Sequence, residues 1–213
     1  MTAPIPPTST RFRPATKADC RTIAALYSIS SDGVADYIWT RLAAPGEDIL
    51  EVGRRRYERE DSAFSYRNCT LACRGEEVVG MLVAFPMQVD PAAEPETDPV
   101  LAPYSRLEVD NSFYVCGVAL LPPYRGQGIG TRLIRLAESQ AAVRGSSRLS
   151  LIVFERNQGA LRLYQRLGYR EVDRTAIVAH PLIHFEGDAL LMGKDLEESS
   201  PLSGDGETAS AAP

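Results

Sequence analysis

No run in this chain of 213 residues is apolar for long enough to cross a bilayer. Histidine is scarce. The two present, His180 and His184, flank Pro181, which spoils the helical spacing that a metal-binding or catalytic pair would need. Both read as loop residues, and no third ligand suggests a metal site. The four cysteines, Cys20, Cys69, Cys73 and Cys116, include no CxxC pair. Cys69 and Cys73 fall in an expected strand with Cα atoms roughly 13 Å apart, too far for a disulfide. All four read as buried, reduced thiols. The start MTAPIPPTST lacks the basic residues and apolar run of a secretory signal. These shortages together predict a cytoplasmic protein without a membrane partner.

Excess charge is missing too, once its location is considered. The formal net charge is -5, and residues 195–213 hold five acidic side chains and no Lys or Arg, so the rest is formally neutral. A neutral body gives no electrostatic reason to expect nucleic-acid binding. The one basic cluster, Arg54-Arg55-Arg56, sits among Glu51, Glu58, Glu60 and Asp61 and reads as a solvated helix face.

The ordered elements alternate. Arg11 to Pro14 reads as a short strand, and Thr16 with Asp19 as a capping box before a helix whose apolar stripe is Cys20, Ile23, Ala24 and Tyr27. Further helices are expected over 34–43 and 47–59, then a hairpin of strands 68–73 and 78–86. The proline-rich stretch 90–104 predicts a long irregular connection with one helical turn near 100–105; loops of this kind are often functional. Strand 113–120, a glycine loop, helix 131–143, strand 149–154, a helix capped by Asn157 and closed by Gly168, and strands 172–178 and 189–194 complete the chain. The expected division is a flexible 1–10, a single folded unit over 11–195 and a disordered acidic tail over 196–213.

The stretch YRGQGIGTRL, from Tyr124, places three glycines at alternate positions before a helix. Helix N-termini offer free N–H groups and a positive dipole end, and glycine removes the Cβ atoms that would hold a phosphate away. A P-loop needs Lys after its last glycine, but Thr131 follows Gly130. The dinucleotide pattern G-x-G-x-x-G fails because the third glycine comes one place early. The pattern R-x-x-G-x-G fits Arg125, Gly128 and Gly130. Its companion, N-x-x-A-x-x-L-Y-x-x-x-G-Y, is met at Asn157, Ala160, Leu163, Tyr164, Gly168 and Tyr169.

Both stretches, VALLPPYRGQGIGTRLI and NQGALRLYQRLGYREV, resemble the acetyl-CoA-binding motifs of the GNAT superfamily of N-acetyltransferases. The ending GDALLMGK resembles a bacterial subgroup of that family. The resemblance spans roughly Phe12 to Lys194 and is specific from Val115 to Glu171. It implies an α/β (α+β) fold: a mixed, mostly antiparallel sheet flanked by helices and splayed where the cofactor enters. It also implies acetyl-CoA as co-substrate. Main-chain groups of Val118 and Leu120 would pair with the pantetheine arm, and the amides of Gly126, Gln127, Gly128, Ile129, Gly130 and Thr131 would hold the pyrophosphate. Arg125 has two readings, as a phosphate contact or as a brace on loop carbonyls. Asn157 could cap its helix and also bond the pantetheine.

The implied chemistry is direct attack of an amine on a thioester. It needs a base for the amine, a donor near Val118 for the oxyanion and a proton for the leaving thiolate. Tyr164 matches the family's tyrosine that faces the sulfur; as a residue on an apolar helical stripe it also reads as a core aromatic. Many members carry a carboxylate where Tyr114 stands, so the base is open, with Glu108 and Asp110 nearby. Tyr37, Trp39, Tyr66 and Asn68 are the expected acceptor pocket. The expected acceptor is an amine-bearing small molecule or peptide, and a homodimer is possible. A non-catalytic acyl-CoA sensor is the alternative function. A transferase acting on charged tRNA is disfavoured by the neutral body and acidic tail.

Overall fold

The computed structural model describes residues 9–196; the expected flexible start and acidic tail lie almost wholly outside them. Thr10, assigned to the start, is buried, and its carbonyl accepts from Arg132 Nη2 at 3.2 Å. Seven strands form one sheet in the order β1-β2-β3-β4-β5-β7-β6. They are β1 (Arg11–Pro14), β2 (Cys69–Arg74), β3 (Glu77–Met87), β4 (Ser112–Leu120), β5 (Arg148–Phe154), β6 (Arg170–Ala176) and β7 (Asp188–Asp195). All neighbours are antiparallel except β4 and β5. The mixed sheet expected from the resemblance is therefore present.

Helices cover both faces. On one side lie α1 (Cys20–Ser30), α2 (Val34–Leu42) and α3 (Ile49–Glu58), packed with Leu71, Met81, Val83 and Phe85. On the other, α5 (Ile129–Val143) and α6 (Gln158–Arg166) cover Leu82, Ala84, Phe113, Leu149 and Leu151. Alternation along β3 sends 81, 83 and 85 to one core and 82 and 84 to the other, the period of a strand buried on both faces. The short α4 (Ala102–Arg106) interrupts the long connection between β3 and β4.

Local chemistry sets the boundaries. The Thr16–Asp19 capping box forms, opening a 3-10 turn over Lys17–Asp19 that runs into α1. Asp48 caps α3 by accepting from the Leu50 amide at 2.9 Å. In the middle of α3, a Cβ on Gly53 would lie 2.8 Å from both Ala24 and Trp39, so glycine is what lets α3 close onto α1. Trp39, 2% exposed, fills the space beside it. Helix α5 begins two residues earlier than expected, at Ile129, because Gly128 supplies the N-cap. Strand β6 is an exposed, charge-rich edge, and the strand ending the described chain, β7, slots between it and β5.

Two irregularities open the sheet in its centre. The parallel contact of β4 with β5 consists of Phe113 opposite Leu149 and Tyr114 opposite Ser150. The buried hydroxyls of Ser112 and Ser150, 2.7 Å apart, pin the strands there. Beyond that point, residues 115–120 of β4 have no partner strand on this side among the described residues. Between β3 and β4 the register slips, so that Gly117 opposes Val83 and Val115 opposes Ala84, leaving Cys116 as the extra residue of a bulge.

Candidate functional site

An open cleft of about 1630 Å³ runs through this gap. One end is walled by the free edge of β4, the glycine loop and the start of α6. The other is walled by α1, α2, the residues after α3 and the long connection.

At the first end the polar groups belong to the backbone. Pro122 and Pro123 lack N–H groups and end the β4 ladder in a 3-10 turn. Gly126 and Gly128 follow with φ of +73° and +77°, and a Cβ built on either meets nothing within 4 Å. The amides of Gly126, Gln127 and Gly128 have no acceptor among the described residues. Those of Ile129, Gly130 and Thr131 lie in the first helical turn, where none is available. The result is a row of free donors at a positive dipole end with open space before it. Arg125 Nε donates to the Leu120 carbonyl at 3.0 Å, which is the bracing geometry. The Gln127 side chain turns away from the cleft, bonding Arg74 at 2.5 Å and the Pro123 carbonyl at 2.9 Å. Ile129 is 2% exposed and its side chain belongs to the core, so only its amide can serve a ligand.

Asn157 caps α6, its Oδ1 accepting from the Ala160 amide at 3.2 Å, while its Nδ2 reaches Asp32 at 3.5 Å. Tyr164, about two turns further along, lines the cleft, and its hydroxyl makes no hydrogen bond among the described residues. Burial, and then the charge of Asp32, push its phenol up to about 12. It stays a proton donor at neutral pH. Tyr164 also packs in the core at 6.0 Å from the Tyr169 ring, the contact expected of an aromatic on an apolar helical stripe.

Three carboxyls line the cleft without an ion partner among the described residues: Glu96, which accepts from the Asp98 amide at 2.9 Å, and two that desolvation raises, Glu108 and Asp32. The sequence pointed to Glu108. Partial desolvation raises its carboxyl, and its neighbours are Tyr114 and Cys116. Asp110 is separated from it: its carboxylate accepts from the Val89 amide at 2.9 Å and from Asn111 at 2.7 Å, and it does not line the cleft. The second carboxyl, Asp32, had no sequence signal beyond SDG in a turn. Burial lifts it to about 6 despite Asn157, His184 and Arg125 nearby. It sits at φ +50°, a conformation that non-glycine residues adopt infrequently.

None of Tyr37, Trp39, Tyr66 and Asn68, the expected acceptor pocket, lines the cleft. Trp39 is core. Tyr37 is a clamp: its hydroxyl donates to Asp98 at 2.9 Å and accepts from Arg41 at 2.7 Å, with Asp98 also paired to Arg41. Asp98 thereby fastens the long connection to α2. Tyr66 bonds Glu60 and Asn68 bonds the Ala63 carbonyl, both outside the cleft. The cleft wall is instead a row of rings that sequence reasoning missed, Phe64, Phe85 and Tyr114, spaced 5.8 and 5.7 Å apart. Cys116 is also corrected: three cysteines are buried, but this one is half-buried in the cleft wall, its Sγ 3.0 Å from the Tyr27 hydroxyl. His180 and His184 lie in the irregular segment between β6 and β7, as expected. No described helix is long and apolar enough to cross a membrane.

The comparisons with known proteins agree with this geometry. Thialysine N-epsilon-acetyltransferase of Bos taurus is 36% identical over 85 residues, 39% of this chain and 49% of that protein, so the chain spans about half the length of the curated relatives it matches. Among solved structures, an N-acetyltransferase from Staphylococcus aureus Mu50 superposes with a TM-score of 0.61 at 17% identity, covering 88% of this chain and 98% of that one. The NatC complex bound to Gag peptide and CoA gives 0.56 at 16% identity, covering 88% and 99%. The acetyltransferase (GNAT) family model matches residues 35–169. On the strength of that match, the chain belongs to the GNAT family of acetyltransferases.

Proposed function

We propose that this protein transfers an acetyl group from acetyl-CoA to a primary amine by direct attack. The observation that carries the reading is the open edge of β4 beyond its two-pair contact with β5, ending in unpartnered loop amides. The fit to acetyl-CoA rests on the same features. An extended amide-bearing arm can pair with a free strand edge, and a pyrophosphate matches free N–H groups over glycines with open space. In this reading main-chain groups of Val118 and Leu120 hold the arm, amides from Gly126 to Thr131 hold the pyrophosphate, and Asn157 adds a side-chain contact.

Bound there, acetyl-CoA supplies an activated carbonyl. The residues of the chain do the rest. Glu108, its carboxyl raised by desolvation, takes the proton of the acceptor ammonium, so that the neutral amine attacks. An amide of the β4 edge near Val118 faces the developing oxyanion. The Tyr164 hydroxyl donates to the departing thiolate. A thiol leaves with a pKa of roughly 8.5, so this last contribution is modest. The relatives' names suggest acceptors to try first: thialysine, lysine and a peptide with a free amine.

The test is incubation with acetyl-CoA and those amines, with free thiol as readout. The expected result is amine-dependent thiol release. Binding of acetyl-CoA without release for any amine would overturn transfer and leave a binding module.

A further inference from the structure

At the acceptor end of the cleft the guanidinium of Arg56 has no ion partner among the described residues. Its neighbours around α3 carry ion pairs, Arg54 with Glu51 and Glu58, Arg55 with Glu47, and Arg67 with Glu60, while Arg59 donates to the Arg56 carbonyl and to Ser62. Arg41, also in the cleft wall, is held by Asp98. Arg56 has neither an ion pair nor a side-chain hydrogen bond among the described residues, although it is half-buried and lines the cleft. The sequence reading of this cluster as a solvated face holds for its neighbours and fails here.

Its surroundings disfavour an unpaired charge. The guanidinium lies over the Phe64 ring at 5.7 Å. Burial and the nearby Arg59 charge hold its pKa below the usual arginine value. Beside it, the Tyr57 hydroxyl is buried without a partner among the described residues. Both residues line a side cavity of about 40 Å³ that shares Tyr27, Phe64 and Arg56 with the cleft. A half-buried cation with free donors is stabilised by an anion that brings its own acceptors.

We propose that Arg56 receives a carboxylate of the acceptor, at the end of that molecule remote from its reacting amine. This inference rests on the acetyl-transfer reading. The remoteness follows from the ring row: Phe64, Phe85 and Tyr114 lead stepwise from Arg56 to the neighbours of Glu108. An apolar spacer over those rings joins the two polar ends. One guanidinium balances one charge, and the other nearby cleft cation is already paired, so a carboxylate fits better than a doubly charged phosphate. An α-amino acid reacting at its α-amine has its charges too close together for this arrangement.

The experiment uses ω-amino acids from 4-aminobutanoate to 8-aminooctanoate, and 4-(aminomethyl)phenylacetate, each beside its carboxamide. Calorimetry measures binding to the CoA-loaded protein, and thiol release from acetyl-CoA measures turnover. The native protein should bind at least one longer carboxylate roughly tenfold or more tightly than its carboxamide. Arg56→Gln should erase that preference without changing acetyl-CoA affinity, and Arg56→Lys should restore part of it. No carboxylate preference anywhere in the series, or a preference that survives in Arg56→Gln, overturns the inference. Carboxylate-selective binding without turnover would instead overturn acetyl transfer and leave the anion site standing.

Discussion

On the glycine-loop side of the cleft most of the candidate binding groups are backbone amides; on the side of α1 to α3 and the long connection the candidates are side chains. The first set is placed by two residues with positive φ and a helix start, within one short stretch. The second set, Asp32, Arg56, Phe64, Phe85 and Glu108, comes from five separate segments that only the fold brings together. A backbone site depends on which residues lack side chains, so it tolerates change around it. A side-chain site depends on which residues are present, and its specificity can change without touching the other half.

Substitutions can break or sharpen that contrast. The largest effect is expected at Trp39→Ala, which removes a buried indole from the α1–α3 core and should cost about 3–5 kcal/mol in denaturant unfolding. A specific loss of acceptor use at unchanged stability would return Trp39 to the pocket. Next comes Glu108→Gln, expected to lower kcat/KM roughly 100-fold. It should also flatten the acid limb of the pH profile, because the native rate falls as the raised Glu108 carboxyl takes up its proton. An unchanged acid limb would move the base elsewhere. Tyr164→Phe should lower kcat about tenfold with the KM for acetyl-CoA unchanged. A rise in KM alone would favour its packing role.

The smallest effect concerns Asp32. Its folded pKa of about 6 lies above the ordinary carboxylate value, so its stabilising contribution is full below the unfolded pKa and is lost as pH rises through about 6. Asp32→Asn tolerates the same positive φ and should therefore be the more stable protein near neutrality, by about 1 kcal/mol after allowing for solvent screening. That is roughly 2–4 °C in Tm. The gain should vanish at acid pH. A gain that is the same at both pH values would come from the backbone and not from the charge.

The cofactor side was legible in the sequence because its physics is local. Glycine spacing, the prolines that end β4 and the Asn157 cap each act within a few residues, and each has the expected geometry. Most element boundaries fell within two or three residues for the same reason. The acceptor side was not legible. Trp39 and Tyr37 carry the aromatic signature of a binding pocket, but an indole beside Gly53 is equally a packing solution, and a phenol beside Asp98 is equally a clamp. Asp32 owes its raised carboxyl to burial, and the lack of an ion partner for Arg56 among the described residues depends on which carboxylates its neighbours take. Both are facts of three-dimensional pairing that no spacing encodes.

The most direct test of the account is a calorimetric titration of acetyl-CoA into the native protein and into Gly128→Glu, with circular dichroism confirming that both are folded. The glutamate would bring bulk and negative charge into space that is open beside Gly128, at some backbone cost from its positive φ. Binding by the native protein and its loss in the variant are expected. Equal binding by both would mean that the loop amides do not hold the pyrophosphate, and would contradict the site built here.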